Sequence, residues 1–189
     1  MEVSKKVVLA GEDYNKIIKV CAPAASKDWQ DRPCLSQIQL RVLDGKCIAT
    51  ALNGYIMAQC RVICTGDNGE YVIPVIKFNA RKSQITIAIQ GDIVSISDGD
   101  MTYTKKACTF PYVEWEKIVG SDKEIQYSIY LSPRLLRQIS SQLSGEYDSS
   151  LRLDFRSPTD AVHIVGHSVR GMILPMIVRG DPEVWFEFS

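Results

Sequence analysis

The chain has 189 residues, 46% of them hydrophobic and 23% charged, with 22 Lys+Arg balanced by 22 Asp+Glu. That length suits one or two compact domains with a real core, and the composition excludes wholesale disorder. No apolar run approaches the ~20 residues that span a bilayer and no signal-peptide pattern follows the initial Met, so the expected location is the cytoplasm with no membrane partner.

In chain order, the residues 7–10, VVLA, are apolar and extended, and EDYNKIIKVCA reads as a helix with Ile17, Ile18 and Cys21 on one side and Lys16 and Lys19 on another. Pro23 stops it. IQLRVL alternates as a strand, Asp44-Gly45 is a hairpin turn, KCIATAL returns, and Asn53-Gly54 turns again into YIMAQCRVI. The second stretch begins with YVI and places Pro74 at the first position of a helix, PVIKFNARK. The strands ITIAI, IVSIS and MTYTKKA follow, separated by QGD and by Asp98-Gly99. The third stretch opens with a strand, YSIYL. Ser132-Pro133 then caps a helix, RLLRQISSQL, with Leu135, Leu136, Ile139 and Leu143 inward. LRLDF, AVHIV and GMILPMIV close it as strands.

These are three copies of one grammar: a strand, a helix, then two or three strands. One such unit has little core of its own, so units should pack in pairs. The expected fold class is α+β, with antiparallel sheets and the helices on one face. The expected domains are 1–119, a complete pair of units, 120–180, a single unit, and an acidic, aromatic tail over 181–189.

Catalytic signatures are missing. No GxGxxG, Walker A loop, HExxH or GxSxG occurs, and nothing builds a nucleophile with its base. An enzyme, a cofactor and a metal site are therefore not expected. Cys60 and Cys64 lie in a strand-like stretch, where positions four apart are roughly 13 Å apart, and His163 and His167 have the same spacing; the six cysteines read as reduced thiols. A neutral total charge neither announces nor forbids a nucleic-acid partner, because binding depends on where the charges sit. The helices concentrate cations: Lys16 and Lys19 in the first, Lys77, Arg81 and Lys82 in the second, Arg134 and Arg137 in the third. Presented together, they suit phosphate contact without base reading.

Several phrases occur in a fixed order: APAASKDWQDRPCLSQIQLRVLDGKCIATALNGYIMA, then FPYVEW, then GMILPMIV. In that order they resemble the beta-type sliding clamp of bacterial DNA polymerase III, over most of residues 5–178. The resemblance implies a DNA-clamp-like fold, one complete clamp domain plus half of a second. It further implies a processivity factor that binds peptides of DNA polymerase and other proteins carrying clamp-binding motifs, and double-stranded DNA without sequence readout. The pocket it implies uses Leu52, Gly54, Tyr55, Ile56 and Met57, then Pro111 and Ile118, then Leu174, Pro175, Met176, Ile177 and Val178. Met and Leu line an adaptable groove of the kind that holds aliphatic and aromatic anchors. Two arginines of the family pattern are here Ile56 and Ile177, which makes the groove more apolar.

Two readings of function remain open at the level of sequence. One is a clamp that closes by homo-oligomerising through open edge strands. The other is a non-ring peptide-binding adaptor or decoy that never encircles DNA.

Overall fold

The computed structural model describes residues 4–26, 33–78, 80, 84–115, 128–143, 151–165 and 170–176. The chain divides into two compact bodies, Met1–Trp115 and Glu116–Ser189.

In the first body, β1 (Lys5–Ala10) runs directly into α1 (Gly11–Cys21). Glu12 and Asp13 in its first turn and Lys19 in its last complement the helix dipole. The helix buries Tyr14, Ile17 and Cys21, spaced three and four residues apart and so on one face. After short 3-10 turns at Ala22–Ala24 and Pro33–Ser36 come β2 (Gln37–Leu43), β3 (Lys46–Leu52) and β4 (Met57–Gly66). The next strands are β5 (Gly69–Pro74), β6 (Gln84–Gln90), β7 (Ile93–Ser97) and β8 (Thr102–Lys106).

Among the described residues these strands form one eight-stranded antiparallel sheet, ordered β5-β2-β3-β4-β1-β6-β7-β8. The order contains an exchange between the two units. β1, which opens the first unit, pairs with β6 of the second, and β5, which opens the second, pairs with β2 of the first. β1 also touches β4 where Val7 faces Gly66, and a Cβ on Gly66 would collide with the Lys6 carbonyl. Strand alternation sends Val7, Leu9, Ile38, Leu40, Ile73, Ile85, Ile87, Val94 and Ile96 into one core against α1. Full burial of each such side chain is worth roughly 1.5–3 kcal/mol.

The hairpin turns fall where their residues direct. Asp44 (φ 48°) and Gly45 (φ 77°) join β2 to β3 with both central residues in the left-handed region, the twist-matched geometry.

The second expected helix is not formed where it is described: Val75–Phe78 and Ala80 are irregular, while Asn79, Arg81 and Lys82 lie outside the described residues. Pro74 instead ends β5, opposite Gln37. β5 is an edge strand, where a residue without an N–H is tolerated. The peptide groups after it bond to α1 side chains. Ile76 C=O accepts from the Tyr14 hydroxyl at 2.7 Å, and Ala80 bonds both ways with the Asn15 amide at 3.1 and 3.2 Å.

The second body contains α2 (Pro133–Leu143), β9 (Arg152–Asp154), β10 (Val162–Val165) and β11 (Arg170–Ile173). The strands make an antiparallel sheet ordered β11-β10-β9. As expected, Ser132 caps the helix, its Oγ accepting from Leu135 N–H at 3.4 Å. Val162, Ile164 and Ile173 form the buried core, with Ile129, Leu131, Leu136, Ile139 and Leu151 against it. Three expectations are corrected. Leu135 is exposed rather than inward, because Leu136 and Ile139 already fill the face toward the sheet. Residues 128–131 are not strand, although Tyr130 C=O accepts from Met176 N–H at 2.7 Å. The closing strand ends at Ile173, so residues 174–176 are irregular; Pro175 supplies no N–H to prolong a ladder. The side chain of Leu143 is outside what is described.

Candidate functional site

The strongest surface feature of the first body is the connection between β3 and β4. Asn53 Oδ1 accepts from the backbone N–H of Tyr55 at 3.0 Å and of Ile56 at 3.1 Å, and Asn53 N–H donates to Ile56 C=O at 3.2 Å. Gly54 takes φ 92°, which an L side chain would resist. The closed turn lifts two apolar side chains into solvent: Tyr55 is 96% exposed and Ile56 54%. An exposed tyrosine beside an exposed isoleucine, held by three hydrogen bonds, is a formed apolar ledge.

A compact base supports it. Leu52, Cys34, Leu35 and Trp115 are buried together, with Met57, Cys108, Tyr112 and Val113 packed against them. Trp115 Nε1–H donates to Gln39 Oε1 at 3.0 Å, and the Arg41 guanidinium lies 5.6 Å from the ring centroid, held by Glu70 at 2.9 Å. The Tyr112 hydroxyl reaches Gln37 C=O at 3.3 Å and Thr50 C=O at 3.4 Å, and burial pushes its ionisation well above the ordinary tyrosine range, so it stays a donor. The sequence singled out Leu52, Gly54, Tyr55, Ile56, Met57 and Pro111 but missed Leu35, Tyr112 and Trp115. Their aromatic and apolar character was a signal; their partners, about seventy residues away in the chain for Trp115 and Tyr112, were not visible. Pro111 is exposed next to Tyr112.

In the second body, Leu174 (70%) and Met176 (50%) are exposed, and Pro175 is half-buried. Ile118, Ile177 and Val178 lie outside the described residues.

The basic residues are placed as follows. Lys16 and Lys19 are exposed on α1, and Lys16 Nζ donates to Arg61 C=O at 3.3 Å. Lys77 is exposed on the segment that Tyr14 and Asn15 tie to α1, so it neighbours the helix without itself being helical. Glu12, exposed on the same helix, offsets part of that charge. Arg134 and Arg137 are exposed on α2. Arg81 and Lys82 lie outside the described residues.

Among the described residues, no group of three or more His, Cys, Asp and Glu is placed to hold a metal, and no helix is long and apolar enough to cross a membrane. His163 Nδ1 lies 2.9 Å from Arg170 Nη2 and accepts from it, because a guanidinium can only donate.

No protein-family model and no curated protein matches the chain. Solved structures do match it. The DNA polymerase sliding clamp of Bacillus subtilis shares 16% identity at a TM-score of 0.70, over 90% of this chain and 49% of that one. The sliding clamp of Pseudomonas aeruginosa, in a structure with ligand, shares 16% at 0.73, over 93% of this chain and 52% of that one. A putative DNA polymerase III beta subunit from Eubacterium rectale shares 11% at 0.72, over 93% and 51%. The chain has the fold of bacterial DNA polymerase III beta sliding clamps, and it spans about half the length of the clamps it matches.

Proposed function

We propose that this chain, folded as a part of a sliding clamp, is a non-catalytic clamp-type protein that holds short apolar peptides and lies against duplex DNA without reading bases. The observation that carries the reading is the ledge at Asn53–Met57: exposed Tyr55 and Ile56 on a hydrogen-bonded turn above the buried Leu52–Trp115 base. Such a ledge suits a peptide with aliphatic and aromatic anchors, since the turn is formed before the peptide arrives. Leu174, Pro175 and Met176 of the second body, with Ile177 and Val178, are the further contributors the clamp resemblance implies. The peptides are those of DNA polymerase and of other proteins with clamp-binding motifs.

The DNA-facing set is Lys16, Lys19 and Lys77 of the first body and Arg134 and Arg137 of the second, with Arg81 and Lys82. Their cations would contact phosphates, so affinity falls with salt. A cytoplasmic clamp that self-associates through its edge strands is the primary reading.

A peptide-binding adaptor that does not encircle DNA is the second reading. Exposed Glu12 beside Lys16 and Lys19 favours it, because it weakens the field of α1 toward phosphate. One experiment separates them: titration of a clamp-binding peptide with the mass in solution measured at each point. Peptide binding by a closed oligomer supports the clamp, and peptide binding by a monomer at high concentration supports the adaptor. No binding of the peptide ends both.

A further inference from the structure

The core of the first body holds a group of buried thiols apart from the peptide ledge. Cys60 and Cys64 both point inward from β4, and Cys47 on β3 faces Val62, the residue between them. Cys21, the last residue of α1, comes down on the same patch. Its Sγ lies 3.5 Å from Ala49 O and 3.8 Å from Ala58 O, and Ala49 is the cross-strand partner of Cys60. The Cys21 thiol thus stands over the stretch of sheet from which Cys60 points inward, in the same core. The neighbouring Cys21, with Lys16, lowers the Cys60 thiol from its ordinary range despite burial, while Cys60 and burial push Cys21 well above its own. Burial also raises Cys47 and Cys64. Cys60 is therefore the more acidic sulfur of the two.

We propose that Cys21 and Cys60 are an oxidation site, which a peroxide converts into a disulfide tying the C-terminal end of α1 to β4. The Cys60 thiol loses its proton and its sulfur attacks one peroxide oxygen, giving a sulfenic acid; the O–O bond breaks and the other oxygen leaves as hydroxide, which takes up that proton as water. The Cys21 sulfur then attacks the Cys60 sulfur, the S–O bond breaks, and the hydroxide leaves with the Cys21 proton as the second water. Two thiols are oxidised and one peroxide becomes two waters. Cys60 is buried, so the first step admits only a small oxidant, and the second joins two sulfurs of one core. The staple would fix the helix that carries Lys16 and Lys19, and a thiol reductant would release it.

The test uses the full chain with Cys108, the half-exposed thiol, replaced (Cys108→Ser), under native conditions with hydrogen peroxide, then alkylation and mass measurement. The expected result is a loss of about two mass units, two fewer alkylated thiols, and a proteolytic map joining Cys21 to Cys60, reversed by a thiol reductant. Adding Cys21→Ser should remove the disulfide and leave a Cys60 sulfenic acid that dimedone traps. A map joining any other pair, or thiols that all stay alkylatable, overturns the proposal. The map of the chain with Cys21 intact decides the matter even if the Cys21→Ser variant does not fold.

Discussion

The two bodies meet the same packing problem with different amounts of sheet. In the first, two units close one another: β1 pairs with β6 and β5 with β2, and a single core collects residues from α1 and the sheet. In the second, the described residues give one unit three strands of three or four residues and a buried core of Val162, Ile164 and Ile173. Both bodies leave large apolar side chains open, Leu43, Tyr55 and Ile63 among those of the first and Leu153, Met172 and Leu174 among those of the second, but the second does so on far fewer described residues. Reciprocal strand pairing is thus what turns a unit too small to bury its own surface into a rigid support. Local opening should cost least where that exchange is absent among the described strands.

The largest expected effect tests this directly. Ile85→Ala empties a fully buried site in the paired core and should cost ~2–5 kcal/mol, read by chemical denaturation. Ile164→Ala, equally buried in the smaller body, should speed hydrogen exchange over β9–β11 and leave β1–β8 protected. If it lowers protection throughout β1–β8, the bodies unfold as one and the contrast fails.

Binding sharpens the same contrast at the next level. Met57→Asp places a charge at the base of the first body's ledge and should weaken a clamp-binding peptide at least tenfold, about 1.4 kcal/mol. Met176→Asp should do likewise by calorimetric titration. Unchanged affinity for Met176→Asp alone would confine the peptide site to the first body.

Much of the first body was legible because its determinants are local. Alternation, the Asp44-Gly45 turn and the placing of Ile17 and Cys21 on the inner face of α1 each rest on a few neighbouring residues, although Tyr14 on that face was missed and Ile18 is only half-buried. The segment after Pro74 was misread for the opposite reason. A proline followed by apolar and basic residues fits a helix start as well as the end of an edge strand, and the choice is made by Tyr14 and Asn15, more than sixty positions upstream. The ledge divides in the same way. Asn53 and Gly54 announce their turn, whereas Trp115 belongs to the support only through Gln39.

Charge gives a smaller effect. Replacing Lys16, Lys19 and Lys77 with Ala should lower the salt slope of duplex binding by about 2.7, and replacing Arg134 and Arg137 by about 1.8, at roughly 0.9 per phosphate contact. A slope unmoved by either set removes the phosphate role for that body, and a slope moved only by the first set makes α1 and its tied segment the DNA face.

The smallest effect separates support from site within the first body. Asn53 and Asp98 perform the same local task in successive units. Asn53 Oδ1 accepts from Tyr55 and Ile56 N–H, and Asp98 Oδ1 accepts from Asp100 and Met101 N–H at 3.1 and 2.9 Å. Both turns are exposed, so Asn53→Ala and Asp98→Ala should each cost about 1 kcal/mol of stability at most. Their effects on peptide binding should differ, because only the Asn53 turn presents Tyr55 and Ile56 above a buried apolar base. Without its side-chain acceptor, that turn must be ordered by the arriving peptide, which costs affinity severalfold. Equal peptide affinity in the two variants, at matched stability, would mean that the turn's geometry is scaffold alone and that the ledge owes its peptide affinity, if any, to Leu52 and Met57.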